Sequence, residues 1–138
     1  MAKVRELTVE GPFAVFLPRK TMADKKIAIN MNVYRNLHFH EQAQAKRIYT
    51  ELMKEQLQGV TLEVPVDVTY KVYKPTKRRL DKMNVCSITS KFLLDAMSEF
   101  GVIPDDNDDY IKDELLLDSE KDKDNPRVVI TFKTVEKQ

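Results

Sequence analysis

From Thr61 to Tyr73 the chain alternates: Leu62, Val64, Val66, Val68, Tyr70 and Val72 fall on one side, Glu63, Asp67, Thr69 and Lys71 on the other. A period of two sends successive side chains to opposite faces of a strand, so this stretch is predicted as a strand with one face in a core and the other in water. It ends at Pro75 and delivers a basic run: Lys71, Lys74, Lys77, Arg78, Arg79 and Lys82, with Asp81 the only acid among them.

A helix follows. Asn84 is a suitable N-cap, and Gly101 with Val102 has the form of a left-handed C-cap with its hydrophobic contact, so the helix is expected from about Val85 to Phe100. At about 100° per residue, Val85, Thr89, Phe92, Leu93, Ala96 and Phe100 share one side. Asn84, Ser87, Lys91, Asp95 and Ser98 make a polar line on the other. Beyond the helix come Asp105, Asp106, Asp108 and Asp109, with Asn107 between them.

A carboxylate inside a basic run suits metal-dependent phosphodiester cleavage. Hard oxygen ligands hold Mg²⁺ while the surrounding cations hold the polyanion. On charge alone the plainer reading is a solvated loop followed by a solvated turn. A calcium loop is excluded by spacing: with Asp105, Asn107 and Asp109 at positions one, three and five, position six is Tyr110 and position twelve Leu116, where glycine and glutamate are needed. His38 and His40, without a cysteine pair or an HExxH motif, read as surface or helix-start residues instead of zinc ligands.

The rest of the chain supplies a scaffold. Arg5 to Glu10 and Phe13 to Leu17 are expected as short strands around Gly11-Pro12. Lys26 to Tyr34 is expected as a strand with Ile27, Ile29, Met31 and Val33 on one face. Asn30, Asn32, Tyr34, Arg35 and Asn36 suit either sugar-phosphate contact or a solvated strand edge. His40 to Gln58 is expected as a packing helix with Ala45, Ile48, Tyr49, Leu52 and Leu57 inward, Lys46 and Arg47 exposed, and Gly59 as its stop. Tyr110 to Leu117 is a candidate strand blurred by Leu115-Leu116-Leu117. Asp118 to Pro126 should turn, and Arg127 to Val135 should close the sheet. Two main helices against a mixed or mostly antiparallel sheet define an α+β fold. The 138 residues amount to a single domain, 1–138.

The net charge of +1 hides a segregation, with basic residues before the predicted helix and acidic ones after it. Cys86 is the only cysteine, which excludes an internal disulfide and suits a reducing cytoplasm. It reads as a small core or boundary residue. No apolar run approaches the length of a membrane span and no signal peptide opens the chain, so a cytoplasmic protein with no membrane partner is expected.

Taken in order, the blocks of Val64 to Asp106 resemble the RusA family of Holliday junction resolvases of bacteria and their phages. These are VPVDVTYKVYKP, the run TKRR, the motif LDKMN, the helix segment SKFLLDAM and the acidic EFGVIPDDN. The likeness covers about a third of the chain, and Val128 to Thr134 resembles the family's closing strand more loosely. It implies a homodimeric endodeoxyribonuclease that cuts four-way DNA junctions in recombination and repair, using Mg²⁺ with Mn²⁺ as the alternative. If phage-encoded, the protein would act in the bacterial host cytoplasm. Asp81 matches the first aspartate of the family's Asp-x-Asp-Asn motif and Asn84 its asparagine, while Met83 stands where the second aspartate is expected. Asp106, beside Asp105, matches the remaining acid, and Lys91 the family's lysine, displaced here by about one helical turn that keeps it on the face of Asn84.

The resemblance therefore implies Asp81, Lys91 and Asp106 as catalytic residues, and Asp81, Asp106 and Asp105 as metal ligands, with Asn84 as an auxiliary one. Lys74, Lys77, Arg78, Arg79 and Lys82 would bind DNA phosphates. Because a 16-residue helix is about 24 Å long, Asp81 and Asp106 are expected to share a site only if the flanking segments fold back or two antiparallel copies meet. Met83 motivates the alternative of a branched-DNA-binding protein that has lost catalysis. A protein-interaction module built on the acidic segment is a third class.

Overall fold

A computed structural model describes residues 3–136. In it the long alternation becomes the middle of a sheet. β1 (Glu6–Pro12), β4 (Val66–Lys74), β5 (Ile111–Leu116) and β7 (Arg127–Thr134) lie in the order β1-β7-β4-β5, and the short β6 (Glu120–Lys121) also pairs with β4. β7 runs antiparallel to both β1 and β4, whereas β5 and β6 run parallel to β4. β2 (Ala14–Leu17) and β3 (Lys25–Ala28) form a separate antiparallel ribbon. The α+β expectation holds, with a sheet that is mixed around β4.

The register shows why these strands pair as they do. Leu7, Phe132 and Val68 lie side by side across β1, β7 and β4, as do Val9, Ile130 and Tyr70, and then Gly11, Val128 and Val72. All but Leu7 are buried, so a slip of one residue would turn the whole apolar set into water. On this face lie α2 (Phe39–Leu57), which buries Ala45, Tyr49, Met53 and Leu57, and α3 (Lys82–Glu99), which buries Val85, Ile88, Phe92, Leu93 and Met97 among others. Tyr49 and Phe92 meet at 5.4 Å between ring centroids, joining the two helices.

Four expectations are corrected. The strand predicted for Lys26 to Tyr34 stops at Ala28, and Met31–Arg35 is instead a short helix, α1. Asn30 is its N-cap, accepting from Asn32 N–H at 2.8 Å, and that local bond outweighs the apparent alternation. The strand predicted from Thr61 begins at Val66, because Leu62 only bridges Val4. Leu52, expected inward, is 55% exposed, and Met53 is buried in its place. Lastly, α3 starts at Lys82 and its cap is Asp81, not Asn84. Of the two histidines, His38 caps α2, its Nδ1 accepting from His40 N–H at 3.2 Å. Gly59, at φ 80°, follows the end of that helix in the left-handed conformation glycine favours.

The outer edge of β1 is engaged at its two ends. Val4 N–H donates to Thr61 O and Glu63 N–H to Val4 O, each at 2.8 Å. Farther along, the Gln56 side-chain amide of α2 takes both backbone groups of Glu10, receiving its N–H at 2.8 Å and donating to its carbonyl at 2.9 Å. An amide side chain there occupies the place of a neighbouring strand.

Gly11 marks where α2 rests on the sheet. A Cβ at this position would stand 2.7 Å from the Tyr49 hydroxyl, which is itself buried with no hydrogen-bond partner among the described residues. Overpacking of this kind costs about 1–3 kcal/mol. Gly11→Ala should therefore lower stability in urea unfolding by about that amount. Tyr49→Phe should be neutral or stabilising and should recover most of the loss in the double variant, since it removes both the clash and an unsatisfied hydroxyl.

Burial pushes the Cys86 thiol up to about 11 and raises the Tyr70 and Tyr49 hydroxyls as well. An unfolded chain ionises its thiol near ~8.5. The folded state thus holds the proton to higher pH, and stability present below pH 8 is lost as pH rises from about 8.5 toward 11. The urea midpoint should fall across that window, less steeply in Cys86→Ala, and Cys86 should resist thiol reagents at pH 8 until the chain unfolds.

Candidate nucleic-acid and metal site

Parallel strands β4 and β5 need a crossover, and α3 provides it. It must return along the sheet, so it starts beside the carboxyl end of β5 and ends near the amino end of β4. Lys82 Nζ donates to Leu117 O at 3.0 Å at one end, and Leu62 N–H to Val102 O at 2.9 Å at the other.

The basic run occupies the β4–α3 connection. Pro75 follows the last strand residue, and Leu80 packs on the core from the position before the cap, with buried Val85 at the fourth helical residue, the two positions of a hydrophobic staple. Asp81 accepts from Met83 N–H at 3.1 Å and Asn84 N–H at 3.3 Å through one carboxylate oxygen, Oδ1. Lys74 donates to Arg78 O at 3.0 Å and so ties the loop together. Lys82 lies 3.7 Å from Asp118, and Lys71 pairs with Glu120 at 3.0 Å. Lys77, Arg78 and Arg79 are exposed and make no ion pair with the described residues. Of the five basic residues expected to bind phosphate, three are free to do so and two brace the loop.

At the far end of α3, Gly101 at φ 74° turns the chain and Val102 N–H donates back to Met97 O at 2.8 Å, as the Gly-Val pattern predicts. Val102 and Ile103 are buried, which holds the acidic loop against the end of the helix. Asp105 accepts from Asp106 N–H at 2.8 Å and from the Asn107 side chain at 3.2 Å, and Asn107 accepts from Asp109 N–H at 2.9 Å. The hydrogen bond from the Asp106 amide holds the Asp105 carboxyl below its ordinary range. Partial burial raises that of Asp106, with a hydrogen bond to Asp105 and the charge of Asp95 adding to the effect. Asp95 pairs with Lys46 of α2 at 2.6 Å, and one turn back the Lys91 ammonium sits 5.6 Å from the Tyr34 ring centroid.

The expected site residues therefore form two groups. Asp105 and Asp106 lie beyond the carboxyl end of α3, where Asp106 feels the charge of Asp95, and Asp81, Asn84 and the basic run lie at its start; Lys91 sits at the middle of the helix, between the two groups. Asp81 and Asp95 are fourteen positions apart, about 21 Å along a helix, so the fold-back of the acidic loop does not bring Asp106 to Asp81. Among the described residues no group of three or more His, Cys, Asp or Glu could hold a metal ion. Within one copy the donors do not fit the divalent ion that the resemblance implies. Met83, 66% exposed, offers only a thioether, a poor partner for Mg²⁺.

Sequence reading missed one carboxylate. Glu114 of β5 accepts from the Tyr70 hydroxyl at 2.7 Å and Ser90 at 3.2 Å. It lines a cavity of about 270 Å³ shared with Met83, Ser87 and Leu116. The alternation of β5 could have placed Glu114 on the helix side, but the three consecutive leucines obscured it.

The chain matches no protein-family model and no curated protein. Among the described residues no helix is long and apolar enough to cross a membrane.

The two roles of Asp81, cap and carboxylate, can be separated. Asparagine caps as well as aspartate, whereas alanine does not. Asp81→Asn should unfold at nearly the wild-type temperature and Asp81→Ala should lose about 1 kcal/mol. An equal loss in both would mean that the negative charge, and not the cap, is what stabilises the helix start.

Proposed function

We propose that this protein is a divalent-metal-dependent, structure-selective endodeoxyribonuclease of the RusA type that acts on four-way DNA junctions. The observation that carries this reading is the exposed Lys77-Arg78-Arg79 run, without an ion pair among the described residues, beside Asp81 at the carboxyl ends of two parallel strands, a place where open sheets commonly bind ligands. Phosphate contacts from these residues would position the duplex without reading its bases. The order of the blocks from Val64 to Asp106 supports the same reading.

The separation of the carboxylates favours a site shared between two copies. Asp81 of one copy, with Asp106 and Asp105 of another, would hold Mg²⁺ or Mn²⁺, and Asn84 could add its amide oxygen. The ion would supply Lewis acidity and an activated water. Lys91, from the middle of α3, would offset charge on the phosphate as the bond breaks. A homodimer also suits a substrate that must be cut symmetrically in two strands.

A second reading has its own observation. Met83 is exposed where the family has an acid, and Asp81 is engaged as a helix cap, both of which suit a junction-binding protein without catalysis.

The deciding experiment incubates the protein with a labelled synthetic four-way junction and a matched linear duplex, with and without Mg²⁺. Paired nicks confined to the junction, lost in Asp81→Asn, are expected. Tight junction binding with no cut would replace the nuclease by the second reading. In either case each of Lys77→Ala, Arg78→Ala and Arg79→Ala should lower the slope of log binding constant against log salt by about 1. Binding unchanged when Arg78 and Arg79 are reversed in charge would remove DNA from the account and favour a protein-interaction module.

A further inference from the structure

The β2–β3 ribbon has two unlike faces. Val15, Leu17 and Ile27 are buried, so the two-residue period sends Ala14, Phe16, Lys26 and Ala28 to the outer side. In the register Ala14 lies opposite Ala28 and Phe16 opposite Lys26, which sets a ring and an ammonium side by side next to two small residues. This outer face is one wall of a groove of about 570 Å³ that Leu52 of α2 and Pro75 also line. Its size is that of a small-ligand site. Phe16 is 53% exposed and Leu52 55%, so a large apolar surface stands open to water there.

The charged residues in the lining are Glu10, Lys26 and Arg127. Arg127 is committed, with Nε on Glu10 at 3.2 Å, Nη1 on Asp122 at 2.9 Å and its guanidinium 4.0 Å from the Tyr73 ring centroid. Lys26 is exposed and makes no ion pair with the described residues. Pro75 joins the groove to the basic run, since Lys77, two residues on, has its Cα within about 7 Å of it. The occupant that fits has an apolar body and an anionic flank.

A nucleotide has that form, and so does an acidic peptide. Glu10 separates the two. A peptide would bring its own carboxylates against it, whereas the amino group of a base can donate to its Oε2, which takes no hydrogen bond from the described residues. An aromatic ring beside a cation is also how single-stranded nucleic acid is held, because every base has a π-face. We propose that this groove receives one unstacked base of the bound DNA, laid on Phe16, with Lys26 and the run from Lys77 on the flanking phosphates. The inference rests on the DNA reading above and not on cleavage.

The test measures binding to a labelled four-way junction in EDTA, where nothing is cut. Phe16→Ala, a change at an exposed position, should keep the circular dichroism spectrum and weaken binding about tenfold, the worth of one stacked base. Its salt slope should match the wild type, because a ring neutralises no phosphate, while Lys26→Ala should lower that slope by about 1. A junction carrying 5-iodocytosine at the branch, irradiated in the complex, should cross-link to the tryptic peptide of residues 6–19, and most of that product should vanish in Phe16→Ala. Unchanged affinity in Phe16→Ala, or cross-links confined to other peptides, overturns the proposal, keeps the DNA reading and leaves the groove to a protein partner. A wild-type chain that binds no junction overturns both. Cross-linking at residues 6–19 by a protein that cuts nothing when Mg²⁺ is added keeps the groove and removes the nuclease.

Discussion

The parallel pairing of β4 with β5 is the constraint on which the rest of this structure depends. Two parallel neighbours cannot be joined by a tight turn, so the chain must travel back along the whole sheet before it can re-enter beside β4. That return is α3, whose eighteen residues rise about 27 Å. The two charged segments hang from its two ends, and its length keeps them apart. The basic run and Asp81 are attached where the chain leaves β4; the acidic loop is attached where it rejoins at β5.

The second organising contact is α2 on the sheet. Tyr49 reaches Phe92 of α3 with its ring and presses on Gly11 of β1 with its hydroxyl, which stays unsatisfied. This is a packing solution in which a polar atom is tolerated for the sake of the ring that carries it. The loops at the α3 ends, by contrast, are held by polar devices: the Asp81 cap, the Lys74 bond to Arg78 O, and the nested bonds of Asp105 and Asn107. The scaffold is apolar, and the ends of α3 are built from hydrogen bonds.

The central strands were legible because their apolar residues alternate and the register buries the same set. Both ends of α2 and the end of α3 were legible from His38 and the two glycines. Asp81 was not recognised as a cap because the sequence offers Asn84 three residues later, an equally good capping side chain, and only the path of the loop after Pro75 decides between them. Asn30 misled in the opposite way: Ile27, Ile29, Met31 and Val33 alternate, yet one side-chain bond to Asn32 N–H turns the chain into a helix. At the candidate site the polar line of α3 and the acidic loop could be read directly. Glu114 was hidden by the three consecutive leucines that blur the period of β5, and its partners Tyr70 and Ser90 come from other elements.

The two borders of the sheet are unequal, and this bears on how far assembly can proceed. Gln56 and the Val4 bonds occupy the two ends of the outer side of β1, while among the described residues β5 has no neighbour on its outer side. Strand addition at both borders would propagate copy after copy into a fibre. At β1 the backbone groups of Val4 and Glu10 are already engaged, so a strand added there could pair only with the stretch between them. A single glutamine amide of α2 thus shortens the stretch of β1 on which another chain could pair.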